Sequence, residues 1–200
     1  MTRIAIEGNI GAGKSSILDM LQRELPANVP IFTEPIESWT PLLDLYYNDK
    51  MQYGFLFSLK VLLSFRGAAD AATAVVERSP QSCRHVFTQL LNENGCLTSI
   101  QWDLFQEFYS ILKYEPDHII YLYTPPNVCY DRIQGRGRQC EAANVDLQYL
   151  KRIDYRYSQL VKDAQCPVHV LDGSLPREEL HAQALALVNR LLFSPNRATA

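Results

Sequence analysis

Apolar positions along the chain follow two periods, and stretches of each kind alternate. RIAIEG (3–8) is short, apolar and partly β-branched, which predicts a buried strand. KSSILDMLQREL (14–25) then sets Ile17, Leu18, Leu21 and Leu25 at helical spacing and stops at Pro26. VPIFTE predicts a second strand, and residues 40–71 predict two helices, one near 41–48 and one from about 51. TAVVERS predicts a third strand, SCRHVFTQLLNENG a helix ending at Gly95, and SIQWDLFQEFYSILKY a further helix. DHIIYLYT predicts a fourth strand, closed by Pro125 and Pro126. NVCYDRIQGRGR begins as a helix and breaks into a loop rich in Gly and Arg. A long helix over VDLQYLKRIDYRYSQLVKD, a fifth strand over PVHVLDG and a closing helix over 176–193 complete the pattern.

Strands separated by helices predict an α/β fold. The expected architecture is a mainly parallel five-stranded sheet with helices on both faces, in a single domain over residues 1–200. Ligands of such sheets gather at the carboxyl ends of the strands. Glu7, Glu34 and the pair Glu77-Arg78 each end a predicted strand. The long helical stretch before TAVVERS is placed to carry an acceptor pocket.

Composition narrows the classes. Of 200 residues, 47% are apolar and 20% charged, as in a soluble globular chain. The 22 acidic and 19 basic residues give a net charge of −3, without the basic surplus of a protein that binds nucleic-acid polymers. No run of ~18 apolar residues predicts a membrane span, and the start of the chain has no leader pattern. The expected location is cytoplasmic. Five scattered cysteines without a CxxC predict free thiols in a reducing compartment, and the four histidines have no ligand spacing.

Gly8-Asn9-Ile10-Gly11-Ala12-Gly13-Lys14-Ser15 fits GxxxxGK[ST], with Ser16 following. Between a buried strand and an amphipathic helix, such glycines turn backbone N–H groups around phosphate oxygens, and the helix adds the positive end of its dipole. Lys14 would bridge β- and γ-phosphates, and the Ser15 hydroxyl would ligate Mg²⁺. A GTPase reading lacks the [NT]KxD tetrapeptide. A mechanical ATPase reading would want a run of apolar residues ending in Asp-Glu or Asp. The third strand ends instead in Glu77-Arg78, a carboxylate for Mg²⁺ and a guanidinium for the transferring or accepting group.

Phosphoryl transfer to a small hydroxyl needs a base, a cation and a pocket. Glu34, with Pro35 stiffening the exit of its strand, can supply the base. Arg132, Arg136 and Arg138 can supply cations on a segment that Gly135 and Gly137 keep mobile, a lid over about 135–145 that would exclude water. Trp39, Tyr46, Tyr47, Tyr53, Phe55, Phe57, Phe65 and Phe87 offer faces for a flat heterocycle. Each element has a structural alternative: Glu34 as a helix cap, the arginines as a solvated face, most aromatics as core, and Arg78 as a structural ion pair.

Together EGNIGAGKSS, TEPIESW, LLDLYYNDK, VVERS and YDRIQGRGRQCE resemble the deoxynucleoside kinase family, the P-loop kinases that include insect deoxynucleoside kinase, mitochondrial thymidine kinase and deoxycytidine kinase. The short length also resembles viral members, for which the host cytosol is the expected location. The resemblance implies ATP as donor, Mg²⁺, a deoxynucleoside acceptor and a homodimer formed through long helices flanking the sheet. It implies that Glu34 is the general base for the 5′-hydroxyl, that Arg78 binds near the 5′-oxygen and the transferred phosphoryl, and that Glu77 belongs to the Mg²⁺ shell. Tyr47 and Glu141 match the pair that holds the sugar 3′-hydroxyl. Trp39, Phe57 and Phe87 fall where the family walls the base, and Arg136 and Arg138 fall in its lid.

The chain departs from the family at Ser58, where a Gln usually pairs with the base edge; a hydroxyl cannot reproduce that two-point contact. Phe65 and Cys83 match positions that are Arg and Asp in purine-accepting relatives, so the resemblance favours a pyrimidine such as thymidine. Two alternatives differ in chemistry. A nucleoside monophosphate kinase would need extra cations for its acceptor phosphate, which Glu34 would repel. A nucleotide-binding regulatory module would bind ATP without turnover.

Overall fold

The computed structural model of the chain describes residues 1–136 and 143–193. Five parallel strands form one sheet in the order β2-β3-β1-β4-β5: β1 (Arg3–Glu7), β2 (Ile31–Phe32), β3 (Ala74–Glu77), β4 (His118–Tyr123) and β5 (Val168–Asp172). The strand period of two sorts their side chains. Ile4, Ile6, Val75, Ile120 and Leu122 face one layer, built on α1 (Lys14–Glu24) and the closing helix. Ala5, Val76, Ile119 and Tyr121 face the other. That second layer is built from α3 (Lys50–Ser64), α7 (Ser99–Leu112), α9 (Leu147–Asp163) and the turns after β3. Among the described residues, no helix is long and apolar enough to cross a membrane.

The expected five strands and their helices are present, with four corrections. β2 covers only Ile31–Phe32, so Glu34 lies two residues beyond the strand rather than at its end. Helix α2 spans Ile36–Asn48, starting well before residue 41, because Trp39 and Leu43 bury against neighbours and hold a first turn that Pro41 would otherwise discourage. The segment after β3 is not one α-helix. It runs as α5 (Pro80–Ser82), a π-helical turn over Cys83–Thr88 and α6 (Gln89–Glu93), with the Gln89 N–H donating to the Arg84 carbonyl five residues back. Finally, α8 (Pro126–Arg136) continues through Gly135 instead of breaking there, because Cys129 and Ile133 are locked into the core. The short α4 (Arg66–Ala69) follows α3, and α10 (Arg177–Phe193) closes the fold.

Candidate active site

The β1–α1 connection sets the floor of the site. Gly8 has φ +150°, and a Cβ there would stand 2.7 Å from the Leu122 carbonyl; Gly11 has φ +78°, and a Cβ there would stand 2.6 Å from that of Cys129. Side chains at either position would push the loop off β4 and α8. Asn9, expected among the phosphate-binding groups, turns its side chain away: Nδ2 donates to the Leu150 carbonyl of α9 at 2.9 Å, and Oδ1 accepts from the Ile10 N–H at 2.8 Å. Its side chain anchors the loop. Ala12 is fully buried, and its carbonyl accepts from Thr124 and Arg132. Arg132 also donates to the Gly173 carbonyl at 2.9 Å, which ties the loop to the β5–α10 connection.

Ile10, Gly11, Gly13, Lys14 and Ser15 line a cavity of about 710 Å³. Lys14 is buried, and Nζ donates to the Gly8 and Asn9 carbonyls at 3.2 and 3.0 Å. Burial, with Arg78 nearby, lowers its pKa to about 8 against the opposing pull of Glu77, Glu34 and Glu7. The Ser15 hydroxyl donates to Glu77 Oε1 at 3.3 Å, and Glu77 Oε2 accepts from the Glu34 N–H at 3.2 Å. Burial and then the adjacent Glu34 raise the pKa of Glu77.

Arg78 joins the parts. It follows β3 with φ +65°, a left-handed conformation that is unfavourable for a long side chain and is kept because that side chain is held at several points. Nε donates to Glu34 Oε1 at 2.7 Å; Nη1 donates to the Gly8 carbonyl at 2.9 Å and to the Tyr157 hydroxyl at 2.5 Å. Tyr157 donates in turn to Glu7 Oε2 at 3.0 Å, and Ser79 donates to Glu7 Oε1 at 2.6 Å. The Phe87 ring lies under the guanidinium, 4.5 Å from centroid to Cζ. Glu34 is therefore an ion-pair partner and not a helix cap: the α2 N-cap is Pro35, with no side-chain cap bond.

The far end of the cavity is apolar, walled by Trp39, Leu43, Phe57, Val61, Phe65 and Phe87, with Tyr47 and Cys83 also lining it. Trp39 meets Phe57 edge-on at 5.9 Å, and Tyr46 stacks on Phe57 at 4.8 Å. Burial pushes the Cys83 thiol up to about 12, so it stays protonated. Ser58 is buried but does not line the cavity, and its carbonyl accepts from the Cys83 thiol at 3.8 Å. By helical spacing it falls on the same face as Val61 and Phe65, which do line the cavity.

Glu34, Trp39, Tyr47, Phe57, Glu77, Arg78 and Phe87 thus meet Lys14 and Ser15 around one space. Arg136 ends α8; its side chain, together with Arg138 and Glu141, lies outside the described residues. The sequence did not single out Tyr157, which reads as core at helical spacing with Leu150 and Ile153, nor Asp19, Thr33 and Val61 of the cavity lining. The arrangement can hold an anion at the loop and a flat apolar group opposite, with the Glu34–Arg78 pair between them.

The family model described as Deoxynucleoside kinase matches residues 4–190. The chain is 34% identical to "Putative kinase protein 143R" of Invertebrate iridescent virus 6, over 96% of this chain and 99% of that one. It is 29% identical to Deoxycytidine kinase 2 of Gallus gallus, over 78% of this chain and 72% of that protein. It is also 29% identical to Thymidine kinase 2, mitochondrial, of Homo sapiens, over 82% and 66% respectively.

Proposed function

The chain belongs to the deoxynucleoside kinase family, and on that premise we propose that it moves the γ-phosphoryl of ATP, with Mg²⁺, to the 5′-hydroxyl of a deoxynucleoside, with a pyrimidine such as thymidine favoured. As a kinase of that family it is a phosphotransferase that takes its phosphate from a nucleotide. The observation that carries the finer reading is the position of Glu34: its carboxylate lines the cavity shared with Lys14 and Ser15, and Arg78 holds it from the side.

In this reading Glu34 takes the 5′-hydroxyl proton while the oxygen attacks the γ-phosphorus and the bond to the β-phosphate oxygen breaks; the proton then passes to water. Arg78 and Lys14 face the charge spread over the transferring group, and neither moves far, because each is fixed by carbonyls of the loop. Ser15 and Glu77 present a hydroxyl and a carboxylate oxygen 3.3 Å apart, a hard oxygen pair that fits Mg²⁺ completed by phosphate oxygens and water. Bound there, Mg²⁺ would neutralise phosphate charge. Tyr47, with Glu141, would hold the sugar 3′-hydroxyl, and Arg136 and Arg138 would cover the donor phosphates. Trp39, Phe57 and Phe87 would wall the base.

Phe65 and the protonated Cys83 put no charge beside the base, which supports a pyrimidine. Relatives named for deoxycytidine and for thymidine match at the same 29% identity, so they do not rank the two. A turnover series over the four natural deoxynucleosides with ATP and Mg²⁺ tests the reading. Thymidine or deoxycytidine is expected to be used fastest; faster turnover of purines would remove the base assignment, and no turnover of any nucleoside would remove the reaction.

A homodimer is part of the same reading. Ile100, Leu104, Phe108 and Ile111 form an exposed apolar stripe on α7, beside exposed Leu56 and Leu63 on α3. A second copy docked there would cover both stripes, and Leu104→Glu with Ile111→Glu is expected to give a monomer in sedimentation velocity. A cytosolic setting is supported by the free thiols of Cys83, Cys96, Cys129 and Cys166.

A further inference from the structure

Ser16 is the second of the two serines after Lys14 and the third residue of α1. It does not line the cavity; its Oγ lies 3.0 Å from Nε2 of His181, 165 residues further along the chain on α10. The contact is held by packing: Leu180, Ala184, Leu187 and Val188 of α10 share a core with Ile17, Leu18 and Leu21 of α1. Burial and then Arg177, with Glu178 opposing, hold the imidazole below its usual pKa, which favours the neutral ring.

A hydroxyl has one proton to give, and a neutral imidazole carries its proton on one nitrogen only. With Nε2 bare, the Ser16 hydroxyl donates to His181, and it offers only lone pairs to an anion. With the proton on Nε2, the ring donates to Oγ and leaves the Ser16 proton for another acceptor. The first turn of α1 has no side-chain cap and no acidic residue, so its backbone N–H groups favour an anion beside Ser16. An anion there selects the second arrangement.

We propose that His181 is a positioning residue for the phosphate donor: by donating from Nε2 to Ser16 Oγ, it turns the Ser16 proton toward a phosphate oxygen and ties the last helix to nucleotide affinity. The inference rests on the reading that donor phosphates occupy the loop. Arg132, which bridges the Ala12 and Gly173 carbonyls, is a second tie between the loop and the C-terminal segment.

The test is calorimetric titration with ADP, alongside steady-state kinetics and thermal midpoints, on the wild type, Ser16→Ala, His181→Phe, His181→Gln and the Ser16→Ala/His181→Phe pair. Each of Ser16→Ala and His181→Phe is expected to weaken ADP and raise the ATP KM about fivefold, the size of one oriented hydrogen bond, while the acceptor KM stays put. The double variant should be no weaker than either single one. His181→Gln, which keeps an N–H near the place of Nε2, should restore affinity to within about twofold. Unchanged ADP affinity in folded His181→Phe, whatever its midpoint, overturns the proposal, as do losses that add in the double variant. If the wild type binds no ADP, the underlying reading of the loop fails and this inference falls with it; wild-type binding that Lys14→Ala weakens and His181→Phe does not would sink this inference alone.

Discussion

The two ends of the cavity are built by different physics. At the loop end Arg78 is tied to Glu34, Gly8 and Tyr157, Lys14 to two carbonyls, and Ser15 and the Glu34 backbone to Glu77. At the far end Trp39, Phe57, Phe65 and Phe87 are held by packing and ring contacts, and Ser58 does not line the space. A tied polar end fixes where a reaction takes place. A packed apolar end admits whatever has the right thickness. Transfer chemistry and base choice should therefore respond to different substitutions.

Glu34→Gln gives the largest expected break. The amide oxygen can still accept from Arg78, so the pair keeps its shape while the base is lost. Turnover should fall ~10²–10⁴-fold with ATP affinity nearly intact, measured by initial rates and nucleotide titration; unchanged turnover would take Glu34 out of the role. Next comes Tyr157→Phe, which strips the hydroxyl joining Arg78 to the buried Glu7. Denaturant unfolding should show a loss of about 1–3 kcal/mol, although Tyr157 does not line the cavity. A neutral result would mean that the left-handed Arg78 is held by Gly8 and Glu34 alone.

The same contrast explains what the sequence disclosed. The loop end is carried by local strings, GNIGAGKSS and VVERS, whose spacing dictates geometry within one turn or strand end. The strand pattern was equally legible, because β1, β3 and β4 are buried on both faces and so read as continuous apolar runs. What escaped depends on contacts between distant segments. Tyr157 looks like any core residue of α9 until Glu7, 150 residues earlier, is set beneath it. The π-helical turn at Cys83–Thr88 needs one residue per turn more than the apolar period reveals, and it puts Cys83 and Phe87 on the cavity while His85 faces away. Helix α8 passes Gly135 because Ile133 packs under the loop, a tertiary gain that outweighs the local preference for a break.

At the apolar end the expected changes are smaller. Phe57→Leu removes a ring that contacts both Trp39 and Tyr46. The acceptor KM should rise by the equivalent of about 0.5–1.5 kcal/mol, with the ATP KM unchanged; a matching rise in both would mean that the two ends are not independent. The smallest shift is expected from Ser58→Gln. A longer carboxamide at that position is expected to sharpen the preference among the four deoxynucleosides a few-fold. An unaltered profile in a folded variant would show that position 58 does not face the base.

The central claim is that Glu34 stands across from the phosphate loop to serve a neutral hydroxyl and not a phosphate. The most direct measurement is γ-labelled ATP with Mg²⁺, offered thymidine in one reaction and thymidylate in the other. Label is expected in thymidine monophosphate, with none transferred to thymidylate. Label in the diphosphate, with the nucleoside left untouched, would contradict the account.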